Sequence, residues 1–356
     1  MGLTMTKCNE LKEKIQVYLP HHGARLNFMA RFVMSVIVVR SVTLSRVASV
    51  LNASVLIESN EKRIKRFFSE VSFESEPFAK LILALIPIKT KLIITLDRTT
   101  WQLGGHTINI LLLAVAYKGI AFPLLWTLLD KQGNSDTDER LMLIDKLLHL
   151  LPACDIDSIV ADREFTGQAW FAGLAARELM FVMRIRNNSL IGSKGRTLPA
   201  RVRYAHLTAN DVYVCPKRCW LFGLRVCISV TRTSEGELLV LACPCEADKA
   251  LLRYAQRWQI ETLFSALKSR GFNLEDSHML HKQRFDTLLA LLSLAFAWAH
   301  LVGEWCYEHF PLKCKKHGYL PKSYFRRGLD TLRAAILAGS APAKISLDTC
   351  LQLLSP

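Results

Sequence analysis

The stretch Tyr254–Lys268, YAQRWQIETLFSALK, holds the densest set of groups able to do chemistry. On a helix, Tyr254, Arg257, Glu261 and Lys268 follow one another at spacings of three, four and seven, which keep them on one face. A carboxylate flanked by cations along one face has two readings. It is an intrahelical ion-pair stripe, or it is an acid offered to a ligand, with cations beside it for anionic groups. Two further acids, Asp97 and Asp162, stand where the short β-type runs LIITL and SIVA end. Carboxylates brought together in space supply the hard oxygen donors that Mg²⁺ prefers.

The elements around these acids follow from pattern. Leu92–Leu96 is a β-type run. Ile108–Tyr117 and Ala121–Leu129 are two more, joined by Lys118-Gly119-Ile120, which reads as a hairpin. Ser135–Leu151 reads as a helix, with Asp136, Asp138 and Glu139 complementing the dipole of its first turn. On residue type alone Asp130, these three acids, Asp155 and Asp157 compete for a metal site, although capping a helix and facing water suits the cluster better. Ser158–Ala161 is a strand, Gln168–Glu178 a helix and Leu179–Arg184 a strand. Between Asn187 and Pro244 the texture is β-rich, with strands expected at Arg201–Tyr204, Val212–Val214, Trp220–Ser229 and Leu238–Ala242. One long helix is expected over Lys249–Ser269 and an apolar one over His281–Glu308. The fold class is therefore α/β, and the order of strands and helices is the plan of an RNase H-like core.

Tyr-x2-Arg-x3-Glu-x6-Lys resembles the signature around the catalytic glutamate of IS4-family transposases, the DDE enzymes of bacterial insertion sequences. Tyr254, Arg257, Glu261 and Lys268 match it completely. LIITLDRT resembles the family's first catalytic block and IVADREF its second, and the resemblance spans about Leu92 to Gly271. It implies that Asp97, Asp162 and Glu261 are catalytic and hold two Mg²⁺ ions, with Mn²⁺ as a substitute. It implies cut-and-paste cleavage and strand transfer at terminal inverted repeats. It further implies DNA as partner (transposon ends and target) and a homodimer in the synaptic complex. Such ions clamp the attacking and leaving oxygens of a phosphodiester, so no nucleophilic Ser or Tyr is required. Tyr254, Arg257 and Lys268 are then phosphate contacts, with Arg163 and Arg184 as further candidates that read equally well as structural ion pairs. Some members flip a base onto an aromatic side chain. Trp220 and Trp258 are candidates for that, though a core role suits them better, as it does Trp101 and Trp126. His106, His149, His278 and His281 lack a ligand spacing.

The bulk numbers agree with a polyanion partner. The 356 residues are 51% hydrophobic and 22% charged, which excludes wholesale disorder, and 46 Lys and Arg against 31 Asp and Glu leave a charge of +15. The N-terminal segment Ala24–Val71 reads as helices with basic faces. Thr43 is expected to cap LSRVASVLN and Ser59 to cap NEKRIKRFFSE, whose Lys62, Arg63, Lys65 and Arg66 suit DNA. The expected division is a helical DNA-binding domain at 1–85, a catalytic core at 86–186 and 246–310, and a β-rich insertion at 187–245. A basic tail with Lys313, Lys315, Lys316, Lys322, Arg326 and Arg327 follows at 311–356. Ten cysteines in a cytosolic protein need no disulfides, and the pairs Cys215/Cys219 and Cys243/Cys245 leave zinc open without the usual two-residue spacing. The start lacks a secretory h-region, and Thr287–Gly303 is short for a membrane span. The expectation is thus a cytoplasmic protein with no membrane partner. The alternatives are another RNase H-like nuclease and a catalytically inactive transposase-derived DNA-binding protein.

Overall fold

Five helices open the chain in the computed structural model, which describes residues 5–88, 90–103, 105–193, 195–314, 318, 320–338 and 345–354. They are α1 (Met5–Gln16), α2 (Gly23–Val39), α3 (Leu44–Leu51), α4 (Ile57–Glu70) and α5 (Ser75–Leu85). α2 is apolar and buried on most of its surface, from Leu26 to Val38, the mark of a core helix. α4 is two-faced. Ile64, Phe67 and Phe68 are buried, and Phe67 stacks on Phe28 with ring centroids 4.3 Å apart. Thr43 occupies the N-cap position of α3, but its side chain makes no capping bond, and its hydroxyl meets Ser41 Oγ at 2.8 Å instead. α4 starts at Ile57, one turn earlier than a Ser59 cap would place it. The reason is Asn60, whose buried side-chain amide donates to the Ala48 and Asn52 carbonyls (3.0 and 2.9 Å) and so sits inside the first turn.

The chain then enters a sheet through β1 (Leu92–Leu103), β2 (His106–Tyr117) and β3 (Ile120–Leu129). Lys118 and Gly119 join the last two with positive φ at both positions, the turn that matches strand twist. α6 (Thr137–Leu150) begins with a reciprocal cap between Asp136 and Glu139. β4 (Ile156–Ala161), α7 (Gln168–Ala176) and β5 (Phe181–Ile185) complete the first half. The next elements are β6 (Leu190–Ser193), β7 (Arg196–Pro199), α8 (Ala200–Arg203), β8 (Val212–Val214), β9 (Cys219–Leu221), β10 (Leu224–Arg232) and β11 (Leu238–Cys243). The expected strand at Arg201–Tyr204 is a helical turn instead. Pro199 fixes its entry, and the Tyr204 amide closes on the Ala200 carbonyl at 3.0 Å.

Strand order is β3-β2-β1-β4-β5-β11-β10-β9-β6-β7, with β8 also on β10. β1, β4 and β5 run parallel, and β11 returns antiparallel on β5. The β-rich stretch therefore extends the sheet rather than standing apart from it. α9 (Ala250–Ala255) lies over this junction, where Val160, Val182, Leu241, Cys243, Ala250 and Tyr254 form one buried cluster. Arg253 fixes it further, with two bonds to Asp157 (2.8 and 2.9 Å) and one to Glu246 (2.8 Å).

α10 (Trp258–Leu267), α11 (Lys282–His309), α12 (Tyr324–Ala338) and α13 (Leu347–Gln352) finish the chain. α11 is long and apolar enough to cross a membrane, and 94% of its apolar window is buried within the protein. Gly303 of α11 and Gly328 of α12 let those two backbones touch. Two compact units result: residues 1–87, 100–108 and 264–356 form a helical unit, and residues 88–99 and 109–263 a sheet unit. α11 and α12 thus belong with the N-terminal helices, whereas the expected division gave 246–310 to the catalytic core and 311–356 to a tail. Lys315 and Lys316 lie outside the described residues. Lys322 pairs with Asp330 at 2.7 Å, Arg326 with Asp330 at 3.5 Å, and Arg327 stacks on the Tyr307 ring.

Candidate active site

The parallel pairing of β1 with β4 sets Leu96 opposite Ala161, and the residue that follows each along the chain is an acid, Asp97 and Asp162. Asp162 stands just past the end of β4. Asp97 does not end its strand, because β1 continues to Leu103 beside the equally long β2. Each carboxylate accepts a bond from the backbone N–H that follows it, Arg98 at 2.8 Å and Arg163 at 2.6 Å. Burial pushes the Asp97 carboxyl up to about 7. The Arg98 amide and the Arg257 guanidinium oppose that rise, while the negative charges of Glu164 and Asp162 add to it.

The signature residues arrive on two helices rather than one. Between α9 and α10 the backbone closes in three-residue turns, Gln256 on Arg253 and Arg257 on Tyr254, and the expected continuous helix breaks at Arg257. Tyr254, held in the α9 cluster, directs its hydroxyl to Asp162 Oδ1 at 3.5 Å, a weak contact by length. Arg257 donates to Glu261 Oε1 at 2.8 Å and lies 3.6 Å from Asp97 Oδ2, between the Tyr254 and Trp258 rings. Asp97, Asp162, Tyr254, Arg257 and Glu261 are thereby linked within the sheet unit. Lys268 belongs to the helical unit, where its ammonium donates to the Thr100 carbonyl at 3.3 Å.

Next to Asp162 opens a cavity of about 580 Å³. Asp162 and Glu164 face Arg163, Arg184, Arg186 and Arg201 across it, together with Asn187 and Asn188. Arg184 is ion-paired with Glu237, the structural alternative weighed for it. Arg163 is exposed with no ion pair among the described residues, as are Arg186 and Arg201, which sequence reasoning missed. Their only signal was their place after β5 and at α8. Lys62, Arg63, Lys65 and Arg66 likewise stand exposed on the polar face of α4. Sequence reasoning also passed over Arg98 and Glu164 as partners. Arg98 makes two bonds to Glu164, both at 3.2 Å.

Trp101 and Trp126 are buried, whereas Trp220 and Trp258 are 56% and 64% exposed, not core. β9 is short and places Trp220 on an uncovered sheet face beside Arg225. The four cysteines do not gather: Cys215 and Cys219 are 3.6 Å apart, Cys243 bonds the Cys227 carbonyl, and Cys245 meets Met180. Among the described residues no three His, Cys, Asp or Glu side chains form a ready metal cage. Even so, a hard divalent cation fits the donor chemistry of Asp97 and Asp162. Burial above all raises the proton affinity of Asp97, and the negative charges of Glu164 and Asp162 add to it, so a charge of opposite sign is favoured beside these oxygens. Glu261 is turned to Arg257 rather than to that pair.

No curated protein matches the chain. Among solved structures, it is similar to a piggyBac transposase synaptic complex with hairpin DNA, at 13% identity and a TM-score of 0.46, over 99% of this chain and 84% of that one. It is also similar to the NurA nuclease from Sulfolobus solfataricus, at 10% identity and a TM-score of 0.26, over 73% and 98%. The family model described as a transposase DDE domain matches residues 88–298, which hold Asp97, Asp162 and Glu261 and make up more than half of the chain, and the protein belongs to that family.

Proposed function

We propose that this DDE transposase is an insertion-sequence enzyme of the IS4 type. On this reading it binds terminal inverted repeats as a homodimer and moves its element by cut-and-paste, acting in the cytoplasm. Asp97, Asp162 and Glu261 are its catalytic acids. The observation that carries the reading is the register of β1 on β4, which sets Asp97 beside Asp162, together with Arg257 linking Asp97 to Glu261.

Asp97, Asp162 and Glu261 would hold two Mg²⁺ ions, or Mn²⁺ in their place. When bound, such ions activate an oxygen nucleophile and stabilise the departing oxygen. The protein's own groups do the rest. Arg257 holds a phosphate where the acids can reach it, and its exchange of carboxylate for phosphate partners conserves charge-assisted bonding. Tyr254, whose hydroxyl faces Asp162 Oδ1 at 3.5 Å, adds a phosphate contact beside that acid. Arg163, Arg184, Arg186 and Arg201 draw the backbone of the transposon end into the cavity beside Asp162. Lys62, Arg63, Lys65 and Arg66 on α4, and Lys268, add sequence-blind phosphate contacts.

A gel assay tests this. Labelled DNA carrying the element's own ends is incubated with Mg²⁺ and either the native chain or Glu261→Gln. End-specific nicking and joining that disappear in the variant are expected. Equal cleavage by both proteins removes Glu261 from the site. Cleavage without joining favours a nuclease, and binding without cleavage by either favours a DNA-binding relic.

A further inference from the structure

We propose that Arg98, Asn109 and Glu164 form a positioning network that fixes the separation of Asp97 and Asp162, and that metal affinity depends on its geometry as well as its charge. This rests on the reading of those two acids as metal-holding residues.

The network ties four pieces of the sheet unit together. Arg98 follows Asp97 on β1. Its Nε and Nη2 donate to the two oxygens of Glu164, both at 3.2 Å. Glu164 lies two residues beyond Asp162, in the turn that the Phe165 amide closes onto the Asp162 carbonyl at 3.0 Å. A planar guanidinium gripping a carboxylate by two parallel bonds fixes orientation as well as distance. The turn bearing one acid is thus locked to the strand bearing the other.

Arg98 is itself held. Its Nη1 donates to Asn109 Oδ1 at 3.1 Å, and its Nη2 reaches Asn134 Oδ1 at 3.3 Å. Asn109, buried on β2, donates from its amide nitrogen to the Lys131 and Gly133 carbonyls, both at 2.9 Å. Every polar atom of the Asn109 side chain therefore has a partner, and a satisfied buried network is rigid. The far side of the Glu164 turn is fixed as well. Phe165 is buried with the Arg140 guanidinium 4.9 Å over its ring, and Arg140 is anchored to Ser135 Oγ at 2.8 Å. No hydrogen bond runs from the Arg98, Asn109 or Glu164 side chain to the Asp97 or Asp162 carboxylate among the described residues, the one direct link being the Arg98 backbone amide to Asp97 Oδ1 at 2.8 Å, so these side chains act through the placement of the two acids.

Groups that orient metal-holding side chains typically change metal affinity or activity by about 10–100-fold when altered. The test uses two substitutions that leave the net charge unchanged, Arg98→Lys and Asn109→Ala, in the full chain after treatment with chelator. Binding of Mn²⁺ alone is followed by loss of its free spin-resonance signal, beside end-nicking kcat and KM and a thermal melt. Arg98→Lys keeps the cation and loses the two-pronged grip. It should weaken Mn²⁺ binding about tenfold and lower kcat by a similar factor, with KM for DNA unchanged. Native Mn²⁺ affinity in folded Arg98→Lys and Asn109→Ala, with only the melting temperature lowered, would show a purely structural role and overturn the proposal. Asp97→Asn separates the layers. If it too binds Mn²⁺ like the native chain, the reading of the acids fails and the network inference falls with it. If Asp97→Asn loses binding while the two network variants keep it, only the network inference is wrong.

Discussion

The guanidinium of Arg257 stands 3.6 Å from Asp97 Oδ2, although the two residues sit on different elements, one in β1 and one at the break before α10. The same group donates to Glu261 at 2.8 Å. One cation therefore answers two acids that chain folding alone brings close. Removing it leaves a buried carboxylate without its opposing charge, which burial already makes reluctant to ionise. Arg257→Ala is expected to lower end-nicking kcat by about 100-fold, the usual loss for a pre-placed donor. Arg257→Lys should recover part of it, since a point charge replaces a planar one. Nicking by Arg257→Ala at the native rate would show that this cation serves folding only.

Asp97 should also leave a signature in stability against pH. Its carboxyl is raised from 3.8 to about 7 in the folded chain, chiefly by burial. Between those values the folded protein holds a proton that the unfolded chain has released. Stability from this group is therefore full below about pH 4, falls as pH rises, and is lost above about pH 7. Asn at this position keeps the shape and cannot titrate. In the presence of chelator, Asp97→Asn should match the native chain near pH 4. It should exceed it by about 4 kcal/mol at pH 8, since each tenfold change in proton affinity is worth roughly 1.4 kcal/mol. Urea melts at the two values check this. A gap of the same size at both, or a less stable variant at pH 8, would mean that Asp97 is not held against ionisation.

The candidate acids stand out in the sequence because the features that mark them are local. Short β-type runs before Asp97 and Asp162 and the Tyr254–Lys268 spacing all lie within a few residues of the groups they mark. What escaped was set by distant partners. The break at Arg257 follows from three-residue turns that helical periodicity does not reveal. Continuation of β1 past Asp97 depends on its neighbour β2. The grip of Arg98 on Glu164 joins residues far apart in sequence, and nothing in the spacing of either forecasts it. Nor does a hydrophobic count distinguish a core tryptophan from one on an open sheet face.

Trp220 tests that last distinction. It faces Gly192 across β9 and β6, and a Cβ on that glycine would meet the Trp220 Cβ at 3.1 Å. The residue is 56% exposed, whereas Trp101 is fully buried against Phe264 and Phe285. Trp220→Ala should change stability by less than about 0.5 kcal/mol, as exposed substitutions do. Trp101→Ala should cost about 3–5 kcal/mol through the cavity it leaves. Equal losses for the two in thermal melts would show that the face carrying Trp220 is covered in solution.

The helical unit rests on a close approach that only glycine allows. A Cβ at Gly303 would lie 1.8 Å from the Tyr324 carbonyl oxygen, and one at Gly328 would lie 1.6 Å from that of Ala299. Backbone cannot yield as a flexible side chain does, so α11 and α12 must part to admit either methyl. Parting them strips contacts along two helices whose facing residues, Phe296, Leu329 and Leu332 among them, are buried. Gly303→Ala and Gly328→Ala are each expected to destabilise the helical unit by about 3 kcal/mol or more, the upper range for overpacking. The double variant should lose less than the sum, because one separation relieves both clashes. Gly105→Ala, where an added methyl meets nothing within 4 Å, is the control and should melt with the native chain. If Gly303→Ala and Gly328→Ala melt with the control, the two helices are not packed backbone to backbone.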